Sequence, residues 1–208
     1  MTPRERYDET IAAFKNTGIV WFTDDEAAVG RLREVVFPNG RLNKDVVGRS
    51  AQEIGKRASV DVPATARVIL VPARGAGPDD VLAREKLCPV VAILPYDSFE
   101  EAVHMAKANL LMEGAGHSAA LHSNDEAHIR AMGVALPISR LVVNQASSLT
   151  AGGSLTNGFA PTTTLGCGSW GGNSISENLD FKHLMNVSRI GKVITNRKVP
   201  TDDEIWAV

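Results

Sequence analysis

The chain has 208 residues, 44% of them hydrophobic, and 22 basic against 24 acidic side chains give a net charge of -2. That is ample apolar material for one core and far from the composition of a disordered chain, so one domain is expected. With neither a basic stripe nor an acidic tail, nucleic acid is not an expected partner.

Cys88 and Cys167 are the only cysteines, too few for a disulfide scaffold and without zinc-knuckle spacing, which fits a reducing, cytoplasmic setting. The opening Met-Thr-Pro-Arg-Glu-Arg lacks the apolar stretch of a secretory signal, and the longest apolar runs are too short to cross a bilayer, so no membrane partner is expected.

From Pro3 to Phe14, Tyr7, Ile11, Ala12 and Phe14 fall at helical spacing, and Asn16-Thr17-Gly18 stops the helix before a short strand, Ile19 to Phe22. Thr23 followed by Asp24, Asp25 and Glu26 reads as a capping box opening a helix to Val36, with a turn at Pro38-Asn39-Gly40. Asn43 to Arg49 is irregular, and Ser50 with Glu53 caps a helix ending near Lys56 or Arg57.

Arg67 to Val71 and Pro89 to Leu94 are nearly unbroken apolar runs rich in β-branched residues, the pattern of strands covered on both faces. Between them, Pro72 to Lys86 is a loop with a short helix start at Asp79-Asp80. Ser98 with Glu101 caps the next helix, whose inward face is Phe99, Val103, Ala106, Leu110 and Leu111 and which ends at Gly114. A strand at Ala119 to His122, a helix from Asn124 with Ile129, Met132 and Leu136 inward, and a strand at Arg140 to Asn144 complete the alternation. Strand and helix in turn with short joins predict an α/β fold, a three-layer αβα sandwich with a largely parallel sheet.

Gln145 to Gly158 is a long polar loop without sustained period, the kind that is functional or held by a partner surface. A glycine-dense loop over 162–174 follows, then a helix from about Glu177 to Met185 capped by Ser174 or Ser176, a strand at Val187 to Ile194, and a tail from Asn196 with Trp206 that lies on a neighbour. Residues 1–195 read as the domain and 196–208 as a contact segment.

Four segments in order carry a resemblance: Asn39 to Ser50 with its Asn-Gly-Arg-Leu-Asn, Arg84-Glu85-Lys86-Leu87-Cys88-Pro89-Val90, Gly116-His117-Ser118-Ala119-Ala120-Leu121-His122-Ser123, and Leu165-Gly166-Cys167-Gly168-Ser169-Trp170-Gly171-Gly172-Asn173 through Asn178. The chain resembles the C-terminal portion of a CoA-acylating aldehyde dehydrogenase, of the acetaldehyde, propionaldehyde or sulfoacetaldehyde type. The resemblance implies an aldehyde dehydrogenase catalytic-domain-like fold truncated at the N-terminal side, without the family's cofactor domain and nucleophile segment. In the intact enzyme a small aldehyde is oxidised with NAD or NADP to an acyl-CoA through a cysteine thioester. Coenzyme A is the acyl acceptor, and this chain binding neither cofactor by itself stays open. Its expected partners are the aldehyde, the missing N-terminal half and further copies of itself. A non-catalytic α/β assembly module derived from the same family is the alternative.

The resemblance gives Glu85 to the cofactor, where a carboxylate accepts two ribose hydroxyls; the plainer reading is a surface acid paired with Arg84 or Lys86. It places His117, Cys167, Trp170, Gly171, Gly172 and Asn173 along the substrate channel or near CoA, against a tight structural turn with Trp170 in a groove. Cys167 is the sole candidate nucleophile in the chain, yet the resemblance puts it downstream of the family's nucleophile, so no catalytic residue is assigned. Cys88, before Pro89 and an apolar strand, reads as packing. His104, His122, His128 and His183 form no metal-ligand spacing, and no metal is expected.

Overall fold

Strand β3 (Val68–Pro72) organises the first half of the molecule, pairing in parallel with β2 (Val20–Phe22) on one side and β4 (Val90–Ile93) on the other. The computed structural model describes residues 1–163 and 167–207. Side chains alternate along a strand, and β3 shows the consequence. Leu70 joins Ile11 of helix α1 (Tyr7–Asn16) and Ile93 on one face. On the other, Ile69 and Val71 join Leu32 and Val36 of α2 (Glu26–Val36) and Ile54 of α3 (Ala51–Arg57). The sheet is therefore covered on both sides, which is why its central strand reads as an unbroken apolar run. A short pair, β1 (Thr2–Pro3) with β5 (Pro95–Tyr96), is also parallel.

The second half is built on β6 (Ser118–Leu121) and β7 (Arg140–Val143), again parallel, packed under α4 (Phe99–Met112) and α5 (Glu126–Ala135). Phe99, Val103, Ala106 and Leu110 of α4 meet Met132, Leu136 and Ile138. Leu111, expected on that face, is 65% exposed instead. Every strand pairing among the described residues is parallel, and the fold is of the expected α/β class. Among the described residues no helix is long and apolar enough to cross a membrane.

The caps came out by chemistry more than by position. Ser50 and Glu53 form the expected reciprocal box. At α2 the cap is Asp25, whose carboxylate accepts from the Ala28 N–H, while Thr23 only accepts from the Asp25 N–H. At α5 it is Asp125 rather than Asn124. Ser98 caps α4, but Glu101 reaches back to the Asp97 N–H, so the box is shifted by one residue.

Beyond Asn144 the polar stretch contains one turn of helix, α6 (Ser147–Thr150). The helix expected at 177–185 is absent. Glu177 instead binds Lys182 at 2.8 Å and His183 at 3.2 Å, and only a 3-10 turn, Phe181–Leu184, forms, capped by Asp180. The strand expected at 187–194 is absent too: Val187, Ile190 and Val193 are 62%, 90% and 88% exposed. A strand needs an edge to pair with, and among the described residues this segment is paired with none. The tail carries a short helix, α7 (Asp202–Trp206), with Trp206 exposed.

Candidate active site

Two loops that lie far apart in sequence meet at Cys167. The first, Gly114 to His117, leaves the end of α4 and enters β6, with Gly116 at φ +82° and its N–H donating to the Pro137 carbonyl at 2.7 Å. The second runs from Cys167 to Asn173. A Cβ on Gly116 would sit 2.1 Å from the Cys167 carbonyl oxygen, and one on Gly171 would sit 2.3 Å from the Cys167 Cβ. Glycine at both positions is thus what admits Cys167 between them, its backbone against Gly116 and its side chain against Gly171.

Asn173 braces this loop from within. Its side chain accepts from the Gly168 N–H at 2.9 Å, and its own N–H donates to the Gly168 carbonyl at 3.0 Å. Trp170 is 58% exposed and fills no groove. Gly171 and Gly172 are exposed, and Gly172 closes a 3-10 turn, Ser169–Gly171, in the left-handed region. Leu165 and Gly166, also in the expected motif, lie outside the described residues. His117 is exposed, and its ring makes no hydrogen bond among the described residues, while its carbonyl accepts from Ser139.

Below the loops lies a buried polar anchor that sequence reading did not single out. Arg140 of β7, 3% exposed, donates to Ser118 Oγ at 3.1 Å and to Asn178 Oδ1 at 3.3 Å. Asn178, 6% exposed, in turn donates to the carbonyls of Ala151 and Ala160. One asparagine therefore ties the polar 145–163 stretch to the sheet. A buried amide spending both donors on backbone carbonyls replaces secondary structure that this stretch lacks.

Glu85 sits in a short extended segment after a 3-10 turn, Val81–Ala83, and borders a cavity of about 400 Å³ with Lys86, Cys88 and Asn109. Its side chain is exposed and has no hydrogen-bond partner among the described residues. The pairing with Arg84 or Lys86 that was the plainer reading is not made. Arg84 binds Glu113 and the Gly40 carbonyl, and the Lys86 ammonium donates to the carbonyls of Leu82 and Arg84. Glu113 also accepts from the Glu85 N–H at 3.0 Å. Burial pushes the Lys86 ammonium down from its ordinary range and the Cys88 thiol up. Cys88 packs against the main core, as expected. Among the described residues no three His, Cys, Asp or Glu side chains are grouped to hold a metal ion.

Glu113 had one legible signal. It ends α4, where the carbonyl end of a helix disfavours a carboxylate, so an acid there needs a cationic partner from elsewhere.

With this geometry in hand, the comparisons are specific. The chain is 53% identical over 206 residues to a succinate-semialdehyde dehydrogenase (acetylating) of Clostridium kluyveri, covering 99% of this chain and 45% of that protein. It is 32% identical over 201 residues to a sulfoacetaldehyde dehydrogenase (acylating) of Cupriavidus necator, covering 96% and 40%. An acetylating aldehyde dehydrogenase of Geobacillus thermoglucosidasius superposes with a TM-score of 0.84 at 28% identity, over 96% of this chain and 43% of that one. A probable aldehyde dehydrogenase of Listeria monocytogenes gives 0.84 at 36% identity, over 93% and 42%. No protein-family model matches the chain. Sequence and fold together make the chain homologous to CoA-acylating aldehyde dehydrogenases over most of its own length. It spans less than half the length of the relatives it matches.

Proposed function

We propose that this chain forms the cofactor-facing and substrate-channel side of a CoA-acylating aldehyde dehydrogenase site, which oxidises a small aldehyde to an acyl-CoA through a cysteine thioester. The observation that carries the reading is the closure of Gly116 and Gly171 around Cys167, since it brings the His117 loop and the Trp170 loop into one surface. NAD, when bound, accepts the hydride, and the thiol of coenzyme A receives the acyl group. Glu85 suits the ribose: its carboxylate is exposed at the mouth of a cavity and its backbone is held from behind. His117 and Trp170, both exposed beside the loop contact, would face the aldehyde or the thiol carrier. Cys167 is a channel residue here, and the nucleophile comes from the remainder of the enzyme.

An apolar cavity of about 880 Å³ between β1 and β6, bordered by Phe14, Phe99, Ala119 and Met132, supports a reading in which more polypeptide packs against this chain. For the substrate, the 53% identical relative favours succinate semialdehyde over the two-carbon aldehydes.

The test is anaerobic reduction of NAD with coenzyme A and succinate semialdehyde, acetaldehyde, propionaldehyde or sulfoacetaldehyde. It is run with the chain alone, with the chain mixed with the remainder of the Clostridium kluyveri protein, and with a full-length chimera carrying this chain in place of the matched segment. Activity in the chimera or mixture but not in the chain alone is expected. Activity of the chain alone would make Cys167 the nucleophile, and none in any form would remove the enzymatic reading. In that event the exposed apolar residues Ile190, Val193, Val199 and Trp206 favour an assembly module of the same fold.

A further inference from the structure

The cofactor segment and the thiol-side loop are joined through one side chain. Glu113 stands at the C-terminal end of α4. Its Oε1 accepts from Nε of Arg84 at 2.9 Å and also from Nη2, and its Oε2 accepts the Glu85 N–H at 3.0 Å. Arg84 is fixed further by a 2.7 Å bond to the Gly40 carbonyl and by lying 5.7 Å over the Phe37 ring. Lys86 closes the other side with bonds to Leu82 and Arg84 carbonyls at 2.6 and 2.8 Å. Glu85 is therefore the one residue of 84–86 whose side chain is left to solvent while its backbone is pinned. In the other direction the chain runs from Glu113 through Gly114 into Gly116, which lies against Cys167.

The arrangement costs stability at the helix end. A carboxylate at the carbonyl end of a helix is repelled by the macrodipole. The Arg84 guanidinium, donating two N–H groups to the one oxygen Oε1, offsets this, and the pairing is only a third exposed on each side.

We propose that Glu113 is a positioning residue for Glu85: it sets the height and direction of the Glu85 carboxylate toward a ribose diol. The proposal rests on the Glu85 reading above and extends it to the partner that holds it. Its distinguishing consequence is that Glu113 acts through Glu85, so the two substitutions do not add.

The experiment uses the full-length chimera with Glu85→Gln, Glu113→Gln and both changes, titrated with NAD by calorimetry and assayed for KM of NAD and of coenzyme A. Thermal unfolding is followed in each. Removing a hydrogen bond to a charged group predicts NAD binding weakened roughly tenfold by Glu85→Gln. Glu113→Gln is expected to weaken it several-fold with KM for coenzyme A unchanged, and the double variant to match Glu85→Gln alone. Additive losses, or a Glu113→Gln loss shared equally by both KM values, would overturn the proposal and leave the Glu85 reading standing. No effect of Glu85→Gln would overturn both.

Discussion

Gly116 and Cys167 touch backbone to backbone, with space at Gly116 for a hydrogen and nothing larger. Gly116→Ala adds a methyl against a carbonyl rather than against a flexible side chain, at φ +82° where alanine is already strained. The Cys167–Asn173 loop must lift. Expected outcomes are faster iodoacetamide alkylation at Cys167 and a fall of roughly 100-fold in activity of the chimera, the scale set by ångström-sized misplacement. Wild-type values for both would mean that the contact is not maintained in solution.

The two thiols should differ in reactivity. Cys88 is half-buried against the core, and burial pushes its thiol up, so its thiolate fraction at neutral pH falls below that of free cysteine. Peptide mapping after brief alkylation of the folded chain should find Cys167 modified faster than Cys88, with the difference lost in denaturant. Equal labelling in the folded chain would contradict the raised Cys88 thiol.

Asp80 carries a stability that depends on pH. It is 5% exposed and accepts from Arg33 at 2.8 and 3.0 Å, from the Arg74 N–H and from the Leu82 N–H. Burial alone would push its carboxyl up, but the Arg33 bonds and the two backbone N–H groups outweigh it and hold the carboxyl below its usual value. Because the folded value is the lower one, this contribution is complete above the unfolded carboxylate value of about 4 and is lost as pH falls through the folded value. Asp80→Asn leaves Arg33 facing a neutral amide and should cost roughly 3 kcal/mol at pH 7 in urea unfolding. The difference from wild type should shrink below about pH 4; a pH-independent difference would argue against ionisation as its source.

Gly55 sits inside α3, where alanine is the better helix former by about 1 kcal/mol. Yet a Cβ there would lie 2.4 Å from Val62 Cγ2 and 2.8 Å from the Val60 carbonyl oxygen. Overpacking a buried site costs about 1–3 kcal/mol, and part of the clash is with backbone, so packing outweighs propensity. Gly55→Ala should lower the urea midpoint. A raised midpoint would mean that the 59–62 turn moves freely.

The C-terminal stretch should govern association. Leu184, Ile190, Val193 and Trp206 are 84%, 90%, 88% and 76% exposed, more apolar surface than a monomer keeps in water at no cost. Light scattering at micromolar concentration should find the chain larger than its 22.2 kDa mass. Replacing Ile190 and Val193 by lysine should shift it toward the monomer. A wild-type monomer would sink this expectation.

Local chemistry was legible in the sequence wherever an element carried its own signal. The apolar runs of β3 and β4, the Ser50–Glu53 box and the turn at Asn39-Gly40 involve neighbours a few residues apart, and the structure has each of them. The Asp25 and Asp125 caps missed by a residue or two because several oxygen-bearing side chains compete at each helix start and the backbone selects among them. The glycine-rich loop was found as a motif, but that Cys167 rests on Gly116 is a contact over some fifty residues, which no spacing encodes. Glu113 with Arg84, and Arg140 with Asn178, are likewise pairs that only packing creates. The expected helix at 177–185 and strand at 187–194 failed for the same reason in reverse. Periodicity states which face a segment would bury, whereas folding requires a surface to bury it against, and among the described residues Leu184, Ile190 and Val193 stay exposed and find none.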